Sequence, residues 1–335
     1  MADAYPSVRP LGIAEDELGD GDDGGERTPA ATAVPWIDAH QHTQTLSWDE
    51  QHEFDLTGCQ AAVMIAANYH WSPYRPVRPD DVRFLWDLAV KWADYLNKKH
   101  LFEQYVAVGI HTVGRVEESE ELLAVLPNYC ALDEVVAVGE TGIEPVQYAS
   151  RWPLDEQEDV VREQMRIAEE TRLPLILHTP TRKAGAETSS EQGWGGLGLS
   201  RPLPEIDYSR PKIEATRIDV DLKDEAGLAD ERLLIDHGDP SVVEFVMEST
   251  DCYLGFSVSS PLKGVTSDDI ADVLFEYGPD RVILDSDAMG YRHSDERCLS
   301  ETLQDLHRRG IGVDALRRIA FENPRDLLGL DHLSG

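Results

Sequence analysis

A chain of 335 residues with 41% hydrophobic residues is too long for one small domain, and it suits a single barrel-sized unit with extensions and a large core. Its 64 acidic against 30 basic residues leave a net charge of −34, which argues against binding a nucleic-acid backbone over a broad surface except in salt that screens it. No apolar run reaches the length of about 18 residues that a membrane span needs.

The chain begins MADAYPSVRP, without an apolar leader segment, and a cytoplasmic protein is expected. Cys59, Cys130, Cys252 and Cys298 stand far apart with no C-x-x-C pair, and so read as buried thiols in a reducing compartment. The acidic excess, with lysine scarce beside arginine, is a halophilic composition: such self-repulsion is tolerable when the Debye length shrinks to about 3 Å in molar salt. The competing reading is a surface for cations or a basic partner.

Residues 1–33 are rich in Gly, Asp, Glu, Ala and Pro, densest in acid over EDELGDGDDGGE, and are expected to form a disordered acidic tail. The folded unit is expected over 34–335. Eight apolar, β-branched runs follow: VPWIDAH (34–40), AAVMIAAN (61–68), YVAVGIHT (105–112), VVAVGETG (135–142), LPLILHT (173–179), RLLIDHG (232–238), CYLGFSV (252–258) and RVILDSD (281–287). Near-continuous apolar runs mark strands buried on both faces of a parallel sheet. Amphipathic segments lie between them. RFLWDLAVKWADYL (83–96) and DEQEDVVREQMRIAEET (155–171) carry apolar stripes, and Pro240 suits the first turn of a helix capped by Asp239. Eight strands alternating with helices predict an α/β fold, a TIM-type (β/α)₈ barrel. Residues 184–211, rich in Gly, Ser and Pro, read as a long loop insertion after the fifth strand.

In such a barrel the functional groups sit where strands end. Five of the 11 histidines fall there: His40 and His42 after the first strand, His111 after the third, His178 after the fifth and His237 after the sixth. Glu140 ends the fourth, and Asp285 and Asp287 the eighth. Taken singly, each histidine also reads as a hydrogen-bonded core residue, and Glu140 as a helix cap. Taken together, the ligand-type residues fall in strand order around one rim, and imidazole with carboxylate suits divalent Zn, Mn, Ni or Fe. His40 and His42, two apart on a strand, share a side, and so do Asp285 and Asp287 by the same periodicity. His111 alone reads as structural.

In these motifs the chain resembles the TatD-like metal-dependent hydrolases of the amidohydrolase superfamily, from residue 35 to about 330. The resemblance rests on Asp38-Ala39-His40-Gln41-His42, Val108-Gly109-Ile110-His111, Gly139-Glu140-Thr141-Gly142, Asp285-Ser286-Asp287-Ala288 and Asn323 through Leu327-Leu328-Gly329-Leu330. It implies one or two divalent ions: His40, His42 and Asp287 on the first, His178 and His237 on the second, Glu140 between them. It implies Asp287 rather than Asp285 as ligand and general base, with Glu140 the other catalytic carboxylate, and phosphodiester cleavage, since several relatives are 3′ exodeoxyribonucleases. His111, Arg182 and Lys183 would face a small-molecule or nucleic-acid phosphoester. With the composition, it points to a member from a halophilic archaeon. The family's H-x-R after strand five is replaced by His178-Thr179-Pro180-Thr181-Arg182-Lys183, its arginine two places late, and Ile235-Asp236-His237-Gly238 is closer to archaeal relatives of unassigned activity. Metal chemistry is therefore better carried than nuclease activity. The alternatives are an amidohydrolase-type enzyme acting on a lactone, amide or cyclic small molecule, and a non-catalytic accessory protein that keeps the fold.

Overall fold

A computed structural model describes residues 34–67, 76–144, 152–180, 209–259, 265–289 and 295–334. The acidic tail 1–33, Arg182, Lys183 and all of the insertion before Ser209 lie outside the described residues. All eight predicted strands are present: β1 Trp36–Gln41, β2 Cys59–Ala66, β3 Glu103–Val108, β4 Val135–Thr141, β5 Leu175–Leu177, β6 Leu233–Ile235, β7 Tyr253–Ser257 and β8 Val282–Asp285. They pair in parallel in chain order. Gln41 bridges Ala288, which brings β1 back against the segment after β8 and closes the barrel.

Each strand is followed by a helix: α1 Trp48–Thr57, α2 Pro79–Leu96, α3 Ser119–Cys130, α4 Leu154–Thr171, α5 Ser209–Ala226, α6 Pro240–Ser249, α7 Ser267–Tyr277 and α8 Cys298–Arg308. Local chemistry sets their starts. Ser47 and Glu50 form a capping box on α1, and Asp239 accepts from Ser241 N ahead of Pro240 on α6, as its sequence predicts. Two short helices, α9 Val313–Arg317 and α10 Asn323–Leu328, end the chain.

The strands bury both faces, as their apolar runs require. On β2, Ala62, Met64 and Ala66 pack outward into a layer shared with helix residues such as Trp86 and Val161. Ala61, Val63 and Ile65 join an inner cluster with Ile37, Ile176, Leu234 and Ile283, to which no described side chain of α1–α8 contributes. Phe321 belongs to that inner cluster too, and Asn323 Nδ2 donates to the carbonyls of Pro279 and Val282, pinning the chain's end at the start of β8. The four cysteines are buried and free. Among the described residues no helix is long and apolar enough to cross a membrane.

Candidate metal centre

The strand ends deliver their side chains to one buried cluster. His40 lies within β1 and His42 just beyond it; Glu140 lies within β4; His178 follows β5 directly and His237 follows β6 by two residues. His237 and Asp287 both hold left-handed backbone, at φ 57° and 47°. Non-glycine residues rarely adopt this conformation, and it recurs at functional sites. For Asp287 it decides a question of direction. β8 ends at Asp285, so the alternation that would align Asp285 with Asp287 does not extend to residue 287. Asp287 N donates to His40 O and His42 N to Ala288 O, lacing the two chain ends together. Asp287 Oδ1 then lies 3.0 Å from His42 Nε2, whereas Asp285 stands against Asp236.

Glu140 is the centre of the cluster. Its Oε1 lies 2.5 Å from His178 Nδ1 and 3.1 Å from His237 Nε2; its Oε2 lies 3.7 Å from both His40 Nε2 and His111 Nε2. The rings follow one another around it, with centroids 5.3 Å apart for His40–His42, 5.0 Å for His40–His237, 4.9 Å for His178–His237 and 4.4 Å for His111–His178. Close backbone packing seats Glu140: a Cβ on Gly109 would come 2.7 Å from Gly139 Cα, so β3 and β4 approach as only glycines allow.

The electrostatics match a cation site. Burial raises the Glu140 pKa, but His40, His111 and His178 outweigh it and hold the carboxyl well below its usual range. Burial lowers His40, yet Glu140, Asp236 and Asp287 raise it to about 9. His40 Nδ1 is 2.5 Å from Asp236 Oδ2, while its buried Nε2 makes no hydrogen bond and stands 3.6 Å from Asp287 Oδ1. With a cation in place of the Nε2 proton, an Nδ1–H donated to Asp236 would turn the Nε2 lone pair to that cation, which is the arrangement of a metal-ligating histidine with an orienting carboxylate behind it. His111 is set the other way. Val113 N donates to His111 Nδ1, so its neutral ring carries the proton on Nε2 and presents a donor to the cluster. Although His111 lies close enough to Glu140 and His178 to share an ion with them, this tautomer fits a substrate contact better.

Comparison with known proteins agrees with this geometry. The family model described as "TatD related DNase" matches residues 37–192. A metal-dependent hydrolase of Methanocaldococcus jannaschii, itself uncharacterized, is 26% identical over 284 residues, which are 85% of this chain and 95% of that one. A TatD-like protein of Archaeoglobus fulgidus has the same fold, with TM-score 0.61 at 21% identity over 88% of this chain and 100% of its own. Over residues 37–192 the chain is thus similar to the TatD family, and over most of its length to a metal-dependent hydrolase. The fold also extends to the phosphotriesterase homology protein of Escherichia coli, with phosphate in its active site, at 13% identity and TM-score 0.57 over 88% of this chain and 99% of that one.

A second layer of buried polar residues, to which the sequence assigned no role, holds the cluster in place. Asp236 orients His40 and also accepts from His237 N at 2.6 Å. A Cβ on Gly255 would come 2.5 Å from Asp236 Oδ1, so glycine leaves room for that carboxylate. Asp38 accepts from Ser286 N and Oγ, fixing β1 to the turn that carries Asp287. Lys212, fully buried on α5, donates to His237 O at 2.5 Å and lies 3.5 Å from Asp239. Gln164 on α4 clamps the ends of β3 and β4 through Ile110 N, Ile110 O and Thr141 Oγ1. One signal was legible: Gln157 and Gln164 fall on the apolar stripe of α4 with Val160, Val161 and Ala168, where a polar residue needs a buried partner.

Proposed function

We propose that His40, His42, Glu140, His178, His237 and Asp287 hold one or two divalent cations and that the protein hydrolyses a phosphoester. One observation carries the reading: both oxygens of a single buried carboxylate are approached by imidazoles from four different strand ends. Burying a carboxylate and so many imidazoles is costly unless charge is compensated, and the orphaned His40 Nε2 supports a cation as the missing partner. His40, His42 and Asp287 offer ligand atoms within 4.8 Å of one another, as do His111, Glu140 and His178, and His237 Nε2 is 3.1 Å from Glu140 Oε1; this supports one ion on the first group and a second on His178 and His237, with Glu140 shared. Such ions, when bound, lower the pKa of water and offset charge developing on a phosphoryl group.

The chain's own groups supply the rest. Asp287 accepts the proton of the attacking water, and His42 at 3.0 Å keeps that carboxylate in place. His111 Nε2–H donates to a substrate oxygen. Arg182 and Lys183 follow His178 closely in sequence and are the cationic residues nearest to it for a phosphoester to use. The family's description as related DNases, and a phosphate bound by the Escherichia coli neighbour, support phosphorus over carboxyl chemistry.

The test is a substrate panel on the full chain in molar KCl: a bis-aryl phosphodiester, a DNA oligonucleotide, a lactone and an amide. Each is assayed after chelation and after reloading with Zn, Mn, Ni or Fe. Phosphodiester turnover that vanishes with chelator and returns with metal is expected. Turnover of the lactone or amide alone would replace the phosphoester reading with the amidohydrolase one. Silence across the panel with metal bound would leave the accessory reading.

A further inference from the structure

Among the described residues, one other group of ligand-type side chains converges outside the catalytic cluster. His52, Asp55 and His100 each offer a donor atom, all within 4.8 Å of one another. His52 and Asp55 lie on α1; His100 lies in the connection between α2 and β3. Asp55 stands four residues before β2 and His100 three before β3, where strands begin. The six residues of β3, at about 3.3 Å each, put roughly 20 Å between this group and the catalytic rim.

Both imidazoles present the same atom to the same oxygen. His100 Nδ1 is 2.9 Å and His52 Nδ1 3.3 Å from Asp55 Oδ2, while Asp55 Oδ1 accepts from Leu101 N at 2.7 Å. Ligand atoms bonded to Zn²⁺ at about 2.0–2.2 Å in a tetrahedron stand about 3.4 Å apart, close to these spacings. The rings are pre-positioned. Trp48, His52 and Asp55 share one face of α1 by their i, i+4, i+7 spacing. His100 packs against the rings of Trp48 and Phe102, at 4.8 and 5.0 Å between centroids. His52 is 59% exposed and would gain little from a carboxylate contact in water.

We propose that His52, Asp55 and His100 form a second divalent-cation site of the Zn²⁺ class, independent of the catalytic centre. The two Nδ1 atoms and Asp55 Oδ2 are its protein ligands, and water completes it on the open His52 side. An ion there ties α1 to the start of β3, a structural cross-link.

The experiment measures zinc bound by the full chain after equilibrium dialysis against buffered Zn²⁺. Wild type, His52→Ala and His52→Cys are compared, each also in a Glu140→Gln/His178→Ala background that weakens the catalytic site. His52→Ala should lose one equivalent in both backgrounds. Hydrolytic activity, measured in the background with the catalytic site intact, should be unchanged. His52→Cys, which restores a zinc ligand, should recover the equivalent, and Co²⁺ loading of that variant should show thiolate-to-cobalt absorption. Equal zinc content in wild type and His52→Ala would overturn the proposal, as would a Cys variant that binds no more zinc than Ala. Because content is read apart from turnover, failure here leaves the catalytic reading untouched, and failure of the substrate panel leaves this one.

Discussion

At the scale of single residues, two carboxylates carry distinguishable expectations. Glu140 is approached through both oxygens, so its charge offsets whatever cations the cluster holds. Glu140→Gln keeps size and removes charge. Metal content by mass spectrometry should then fall toward one ion or none. His178→Ala should leave the His40, His42 and Asp287 side partly filled. Two ions and full activity in Glu140→Gln would return Glu140 to a structural role. Asp219 poses a different problem. It is fully buried on α5, and burial drives its pKa well above the ordinary carboxyl range, only partly opposed by the Ile143 N–H it accepts. A carboxyl whose folded pKa is raised favours folding while protonated, and that contribution is lost as pH climbs through the folded value. Asp219→Asn keeps an acceptor for Ile143 and cannot ionise. Its melting temperature relative to wild type should therefore climb as pH rises above about 4, the ordinary carboxyl value. A difference that stays flat with pH would show that Asp219 does not ionise at a cost.

At the scale of elements, the barrel's rim depends on polar struts from its helices. Gln164 reaches from α4 to the ends of β3 and β4, the strands that carry His111 and Glu140. Gln164→Leu fills similar space but leaves Ile110 N–H buried without its acceptor, at a cost of about 1–3 kcal/mol. Urea unfolding should read that loss. Metal affinity should fall with it, because the loops after both strands lose their common anchor. A stable variant with native metal affinity would mean that backbone packing of Gly109 on Gly139 suffices to align the strands.

At the scale of the whole molecule, the charge of −34 dominates. Ion pairs relieve it locally, as between Arg166 and both Glu163 and Glu170 or between Arg309 and Asp268, but they are exposed and contribute little each. Unpaired acid remains in large excess, and its repulsion is long-range where the Debye length is about 10 Å and short-range near 3 Å. Melting followed by circular dichroism should therefore shift upward between about 0.1 and about 1 M KCl. An unchanged transition would mean that the fold tolerates its charge without screening, and the composition would need another explanation.

The sequence by itself determined the barrel and the rim. Strands buried on two faces must be apolar almost throughout, so eight short runs were legible, and a histidine, glutamate or aspartate at the end of six of them stood out. That logic reached His40, His42, Glu140, His178, His237 and the Asp285/Asp287 pair. It stopped where the strand stopped. Period-two alternation would align Asp285 with Asp287, but β8 ends at Asp285 and a left-handed residue turns Asp287 toward His42. Only the tertiary structure shows that turn, because it rests on hydrogen bonds between β1 and the segment after β8. The same holds for Asp236 behind His40, a contact across 196 residues, and for Val113 fixing the His111 tautomer. Local patterns report which side chains a strand can bury. Which nitrogen of a buried ring faces the centre is set by partners brought up from other strands and helices, and those exist only once the barrel has closed.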